Sequence, residues 1–198
     1  PGDYGMGTLN VHCLEFIDLL SDAGFTYLQV CPLGPTGFGD SPYQSFSSFA
    51  GNPYLISLKA ISELGLLAPA ILEDLSALPK SVVDYGGLFN AKWPVLDAVY
   101  NTYTNDSSIG LPYGDFEEFC DQEGSWLEPY AYFQALKNHF NGADWRQWPA
   151  KCRDYENALK SPLRKKLSNE IEAQKFFQYL FFGQWKLVRD HAASRGIR

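Results

Sequence analysis

Several features that would announce a chemistry are missing from this sequence. It holds one methionine, three histidines and four cysteines. Cys13, Cys31, Cys120 and Cys152 are scattered, with no C-x-x-C pair. That spacing argues against a zinc site or a disulfide framework and for buried free thiols. His12, His139 and His191 stand alone on predicted helices, without an H-E-x-x-H pattern. They are expected to pack or face solvent, not to bind metal. No G-x-S-x-G elbow supports serine hydrolase chemistry. Positive charge is also short: 16 Lys+Arg stand against 23 Asp+Glu, for a net charge of −7. A nucleic-acid footprint or a polybasic membrane anchor needs the opposite balance. No apolar run reaches the ~18–20 residues that span a bilayer, and no charged-then-apolar leader follows Pro1. No nucleic acid and no membrane is therefore expected as partner. A chain opening on Pro instead of Met reads as one that has been cut, so a lost targeting signal stays open.

What is present is aromatic. Phe, Tyr and Trp make up 16% of the 198 residues, too much for a solvated disordered chain and enough for a sizeable core. After the turn Gly2–Gly7, apolar residues Leu9, Cys13, Phe16, Ile17 and Leu20 recur at helical spacing. They predict a helix from Thr8 to Ala23, stopped by Gly24. Phe25–Cys31 is rich in aromatic and β-branched residues and closes on Pro32, which predicts the one strand of the chain. From Ser57 the pattern is almost wholly helical. Helices are expected at Leu58–Leu64, Leu88–Tyr103, Phe116–Glu123 and Ser125–Phe140, and the longest at Pro162–Ser194, opened by the Ser161 cap and ended by Gly196. Ile197 then reads as the first residue of another strand. A helix–Gly–strand grammar at both ends, with one strand between many helices, points to a piece of a larger α/β domain carrying a helical insertion.

Between strand and helices lies a long loop with three Gly and three Pro in Pro32–Gln44. It leaves the carboxyl end of a strand, where α/β folds place ligands, and a loop of this length needs a functional reason. Gly34-x-x-Gly37-x-Gly39 invites a phosphate-loop reading. It lacks G-K-[ST] and a following helix, and its prolines remove backbone donors. Asp40, Ser41, Tyr43 and Gln44 combine carboxylate, hydroxyl, aromatic face and amide within five residues, a mixture suited to a sugar. Asp-Ser-Pro-Tyr is equally ordinary turn chemistry, in which Asp40 accepts local backbone bonds. Glycoside chemistry needs a pair of carboxylates. Asp40, Asp84, Asp115, Glu117, Glu118 and Glu128 are available, but nothing in their spacing marks a pair. Trp145 and Trp148 either stack on a glycan or clamp helices, and clamping is the commoner use.

The run Gln29-Val30-Cys31-Pro32-Leu33-Gly34-Pro35-Thr36-Gly37-Phe38-Gly39-Asp40-Ser41-Pro42-Tyr43-Gln44-Ser45-Phe46-Ser47, continued by Phe49 to Ile56, resembles the 4-α-glucanotransferases, also called amylomaltases or disproportionating enzymes. Tyr4–Gly7, the Trp126–Lys137 helix, the Trp145–Pro149 W-x-x-W-P and Phe177–Trp185 resemble further segments of that family. The resemblance covers essentially the whole chain. It implies an incomplete N-terminal part of a (β/α)8 barrel with a large helical insertion after the second strand. Residues 1–57 would be the N-terminal barrel segment, 58–160 the insertion, and 161–198 a barrel helix leading toward a third strand. It implies transfer of α-1,4-glucan segments between malto-oligosaccharides, or starch- or glycogen-derived glucans, by a retaining double displacement without metal or organic cofactor. The nucleophile Asp and acid/base Glu are expected beyond Arg198, so this piece alone would be inactive. By the same resemblance Tyr43 matches the tyrosine that stacks on the sugar beside the scissile bond. Ser41 lies within its reach, and Asp40 and Gln44 complete the substrate-binding set. Thr8-Leu9-Asn10 departs from the family's D-L-G, Phe38 stands where Tyr is frequent, and Pro129 replaces a common acidic residue. A cytoplasmic location, or a plastid in a plant or alga, is expected. The alternatives are a non-catalytic α-glucan-binding or scaffold module and an unrelated helical interaction domain.

Overall fold

The structure is a computed structural model that describes residues 1–198 except Pro1, Asp3, Phe38, Ser107 and Ser108. Eight α-helices run through the described residues: α1 (Val11–Asp22), α2 (Leu58–Glu63), α3 (Pro69–Leu75), α4 (Tyr85–Asn105), α5 (Phe116–His139), α6 (Tyr155–Leu159), α7 (Pro162–Lys166) and α8 (Ser168–Ser194). Short 3₁₀ turns stand at Pro53–Leu55, Trp145–Gln147 and Ala150–Cys152. The chain divides into two compact units, Pro1–Gly114 with Leu180–Arg198, and Asp115–Tyr179.

In the first unit the core is Ile56, Leu58, Ile61, Leu66, Leu88, Leu96 and Phe181, each almost fully buried. A smaller cluster joins Ile17, Val188 and Ile197, with Leu28 and Trp185 packed against it. Local side chains cap the helices, although α1 begins at Val11 where Thr8 was expected and α4 at Tyr85 where Leu88 was expected. Asn10 accepts the His12 N–H at 3.0 Å and caps α1. Ser57 accepts from Ala60 at 3.3 Å, and Asp84 from Gly87 at 3.0 Å, so α4 starts three residues before its first buried leucine.

The predicted strand does not form. Phe25–Cys31 is extended and largely exposed, and no strand occurs among the described residues. A strand exists only through its ladder, and the segment meets only the fringe of one. Leu28 N–H donates to Arg198 O and Arg198 N–H to Thr26 O, both at 2.9 Å, straddling Tyr27 in the pattern of a parallel pair. Thus Arg198 lies beside Phe25–Cys31.

In the second unit the core is Ala131, Tyr132, Ala135, Leu136, Trp148, Cys152, Leu167 and Ile171. Here α5 runs unbroken where two helices were expected, with Pro129 in its interior. Asp115 accepts from Glu118 at 2.8 Å, Glu117 and Glu118 occupy the positive end, and Lys137 and His139 the negative end. Burial of Leu127, Tyr130, Ala131 and Tyr132 around Pro129 offsets the missing N–H. The expected Pro162–Ser194 helix is instead two. Leu167 leaves the helical track, with ψ 17°, and buries its own side chain. Helices α3 and α6, of 7 and 5 residues, were too short to show a period in the sequence.

The four cysteines are free, but only Cys152 is buried; Cys31 is exposed, and Cys13 and Cys120 are intermediate. The burial expected of all four fails because the Cys31 segment has no sheet around it. The histidines behave as packing or surface groups: His12 beside Glu15 at 2.9 Å, His191 beside Asp18 at 2.8 Å, and His139 edge-on to Phe140.

A candidate sugar-binding groove

The Gly- and Pro-rich segment closes on itself. Asn52 N–H donates to Leu33 O at 2.7 Å and forms the neck of the loop. Inside it, Thr36 and Ser45 make an antiparallel bridge, flanked by Gly37 N–H to Gln44 O at 3.1 Å and Phe46 N–H to Pro35 O at 3.3 Å. The tip turns through Gly39 and Asp40, both at positive φ, 88° and 52°. Aspartate tolerates this left-handed conformation better than most side chains. Asp40 N–H returns to Gly37 O at 3.1 Å, and its carboxylate accepts from Thr36 Oγ1 at 3.4 Å. Ser41 Oγ accepts the Tyr43 N–H at 3.3 Å, and Ser41 O accepts from Gln44 N–H at 3.0 Å. These bonds fix a turn that throws Tyr43 outward, 76% exposed.

Tyr43 forms one wall of an open groove of ≈ 750 Å³. Cys31 and Phe49 line it from the loop side, and Phe181, Phe182 and Trp185 from α8, together with Ser45, Ser47 and Ser48; the Ser45 and Ser47 hydroxyls also bond to the loop's own backbone. Aromatic faces for C–H surfaces and hydroxyls for polar edges are the components a saccharide needs, and the volume lies in the range of ligand sites. The Tyr43 hydroxyl stands 3.9 Å from Cys31 Sγ, and that contact holds the phenol above its ordinary value.

Of the four residues expected in the site, the structure places Tyr43 in the groove wall. Ser41 is the turn residue behind it. Asp40 is turned toward Thr36, and its charge also reaches Tyr54. Burial first, then the Asp40 carboxylate, push the Tyr54 phenol up, against the hydrogen bond from Trp93 Nε1 at 3.2 Å. Gln44 joins the bridge through its carbonyl and leaves its side chain exposed. Phe38 lies outside the described residues.

The contributions of Phe181, Phe182 and Trp185 were missed as site residues. They lie some 140 positions after Tyr43, on the long helix, and Phe181 read in the sequence as part of that helix's apolar side. A retrospective signal is Gly51: a Cβ there would stand 2.0 Å from Phe181 Cδ1, so the loop backbone lies flat on that ring.

Asp84, Asp115, Glu118 and Glu128 among the other carboxylates have structural partners. Asp84 and Asp115 cap helices. Glu128 is held by Arg164 and by Lys175, the latter at 2.5 Å. No group of three or more His, Cys, Asp or Glu able to hold a metal occurs among the described residues. The tryptophan pair divides: Trp148 is core, stacked near Phe133 and Phe140, whereas Trp145 is half exposed.

The backbone arrangement belongs to the amylomaltase-like class. It superposes on the amylomaltase of Streptococcus agalactiae, solved in complex with acarbose, with a TM-score of 0.88 at 34% identity, over 100% of this chain and 40% of that one. The amylomaltase of Corynebacterium glutamicum shares the fold at a TM-score of 0.68 and 19% identity. The family model of 4-alpha-glucanotransferase matches residues 1–198, and the chain belongs to that family. A 4-alpha-glucanotransferase of Thermus thermophilus is 42% identical over 198 residues, and the chloroplastic/amyloplastic one of Solanum tuberosum 34% over 204. The chain spans 39% of the former's length and 34% of the latter's.

Proposed function

We propose that this chain supplies the sugar platform of a 4-α-glucanotransferase, which moves α-1,4-glucan segments between malto-oligosaccharides by a retaining double displacement. The observation that carries the reading is the outward Tyr43 facing an aromatic, hydroxyl-bearing groove in a member of this family. In this reading residues 1–57 are the first part of a (β/α)8 barrel, 58–160 an insertion, and 161–198 the helix before the next strand. Phe25–Cys31, already paired with Arg198, takes its place between neighbouring strands. The nucleophile Asp and acid/base Glu come from outside residues 1–198, and the reaction uses no metal or organic cofactor. Ser41 and Asp40 shape the turn that presents Tyr43, and Gln44 offers its amide to sugar hydroxyls. The substrates are malto-oligosaccharides and glucans derived from starch or glycogen, and the site of action is the cytoplasm, or a plastid in a photosynthetic host.

A ring stacked on the sugar supports the flattened, positively charged transition state more than the neutral ground-state chair, because its face attracts the developing cation. Its loss therefore lowers kcat more than it raises KM. A buried aromatic contact of about 1–3 kcal/mol corresponds to roughly 10- to 100-fold in rate. The test is kcat, KM and Tm on maltotriose for Tyr43→Phe and Tyr43→Ala in the native protein that carries this chain. Tyr43→Phe is expected to keep most of the activity and Tyr43→Ala to lose it at unchanged Tm. Wild-type kcat in Tyr43→Ala with a lowered Tm would make Tyr43 a structural plug and end the platform reading.

A further inference from the structure

Lys92 is a lysine in the middle of α4, only 3% exposed. Its Nζ donates to Tyr54 O at 2.6 Å and to Ile56 O at 2.8 Å. Burial alone pushes its ammonium down to about 7. A cation is costly in such a place unless it replaces bonds that nothing else makes.

The carbonyls of the segment show which bonds those are. Asn52 O accepts from Leu55 N–H at 2.9 Å, Pro53 O from Ile56 N–H at 3.2 Å, and Leu55 O from Leu9 N–H at 2.8 Å. Ser57 O accepts from Ile61 N–H at 3.2 Å. Tyr54 O and Ile56 O, at the carboxyl end of the 3₁₀ turn, are the ones Lys92 takes. Terminal carbonyls of a helical turn lack partners within the turn, and an ammonium with three donors can hold two of them at once. The adjacent Trp93 grips the same residue from its other end, Nε1 to Tyr54 OH at 3.2 Å.

This segment is the downstream stem of the candidate sugar loop. Asn52 closes the loop neck on Leu33, and Tyr54 N–H caps back onto Asn52 Oδ1 at 3.0 Å. Tyr54 also feels the charge of Asp40 at the loop tip. A chain of hydrogen bonds thus runs from Lys92 through Tyr54 and Asn52 to the neck of the loop at Leu33, from which the turn that presents Tyr43 springs.

We propose that Lys92 is a positioning residue for the sugar loop: by tying the Tyr54 and Ile56 carbonyls it sets where the stem stands, and through the stem where Tyr43 meets the substrate. The functional consequence rests on the glucanotransferase reading above; the mechanical one does not. An error of about 1 Å in a positioned group can cost on the order of 100-fold in rate.

The experiment pairs Lys92→Met, which keeps the length and removes the donors, with two readouts in the native protein that carries this chain. One is site-resolved hydrogen exchange; the other is kcat and KM on maltotriose, measured well below Tm. Lys92→Met is expected to speed exchange in residues 33–57 while the amides of α4 keep their protection, and to lower kcat/KM about 10- to 100-fold. Exchange accelerated equally through α4, or nowhere, overturns the proposal, as does wild-type kcat/KM with a loosened loop. If Lys92→Met does not fold, Lys92→Gln replaces it. Its amide retains N–H donors, and an intermediate effect confined to 33–57 supports the proposal, whereas one spread into α4 overturns it. If the unaltered protein transfers no glucan, the glucanotransferase reading fails and exchange alone decides whether Lys92 holds the stem.

Discussion

Gly51 shows how closely a single residue can be specified. Its missing side chain is the space that Phe181 occupies, and any Cβ would overlap the ring at 2.0 Å. The ring has little room to retreat, because it is 2% exposed and packed edge-on to Phe182, 5.2 Å away. Overpacking of this kind costs about 1–3 kcal/mol. The entropy gain of Gly→Ala in the unfolded chain, about 0.4–1 kcal/mol, offsets only part of it. Gly51→Ala is therefore expected to lower Tm by roughly 2–8 °C and, since both residues line the groove, to weaken sugar binding together with stability. Thermal melts with and without a malto-oligosaccharide check this; an unchanged Tm would mean that the ring moves freely. Tyr43 is the contrasting case at this scale. It is exposed and held only by its turn, so its replacement should leave Tm alone and change catalysis.

Among the elements, α5 carries the clearest conflict between local and tertiary preference. Its caps and end charges favour a helix, while Pro129 in its interior removes a backbone donor. The sequence pattern divided the element at Gly124, with Pro129 in the first turn of a second helix, and the structure does not. Leu127 at 1%, Tyr132 at 0% and Ala135 at 1% exposure bind both halves into one core, and Tyr132 OH donates to Ala158 O at 2.7 Å. An interior proline costs about 3 kcal/mol, so Pro129→Ala is expected to stabilise the protein by about 1–3 kcal/mol. Chemical denaturation measures it. A loss of stability instead would mean that the proline's own packing in its surface cleft outweighs the recovered hydrogen bond. The reverse conflict decides Leu167: the pattern read straight through it, but the gain from burying its side chain breaks the helix.

For the whole molecule, the stretch from Phe16 to Val30 carries several exposed apolar side chains in succession. Leu19 is 63% exposed, Phe25 57% and Tyr27 67%, with Phe16 and Val30 about half. The extended segment that carries three of them has open backbone groups along most of its length. Such an edge promotes association. The 198-residue polypeptide by itself is expected to self-associate and to melt broadly, and to release no glucose from maltotriose, since the catalytic carboxylates are proposed to lie elsewhere. Sedimentation, calorimetry and a glucose assay test these together. A monomer with a sharp two-state melt would show that this face needs no cover. Glucose release abolished by changing a carboxylate within residues 1–198 would relocate the chemistry.

Local chemistry settled what the sequence determined by itself. The cap at Ser57, the Gly24 and Gly196 stops, and the turn at Asp40–Gln44 each depend on neighbours within a few residues and were legible before any fold was known; Asp84 and Asp115 cap helices by the same local rule but were read only as candidate carboxylates. The specific run from Gln29 to Ile56 named the family for the same reason: its residues are contiguous. Tertiary structure alone decided the rest. It showed that Phe25–Cys31 pairs with Arg198 and forms no strand among the described residues, that Cys31 is exposed, that α5 is continuous through Pro129, that Phe181 and Trp185 line the same groove as Tyr43, and that Lys92 ties the loop stem. Each of these depends on contacts between residues tens to more than a hundred positions apart, or on burial that a remote element supplies. Periodicity and turn propensity report on the near neighbours of a residue, and carry no record of which distant surface will come to lie against it.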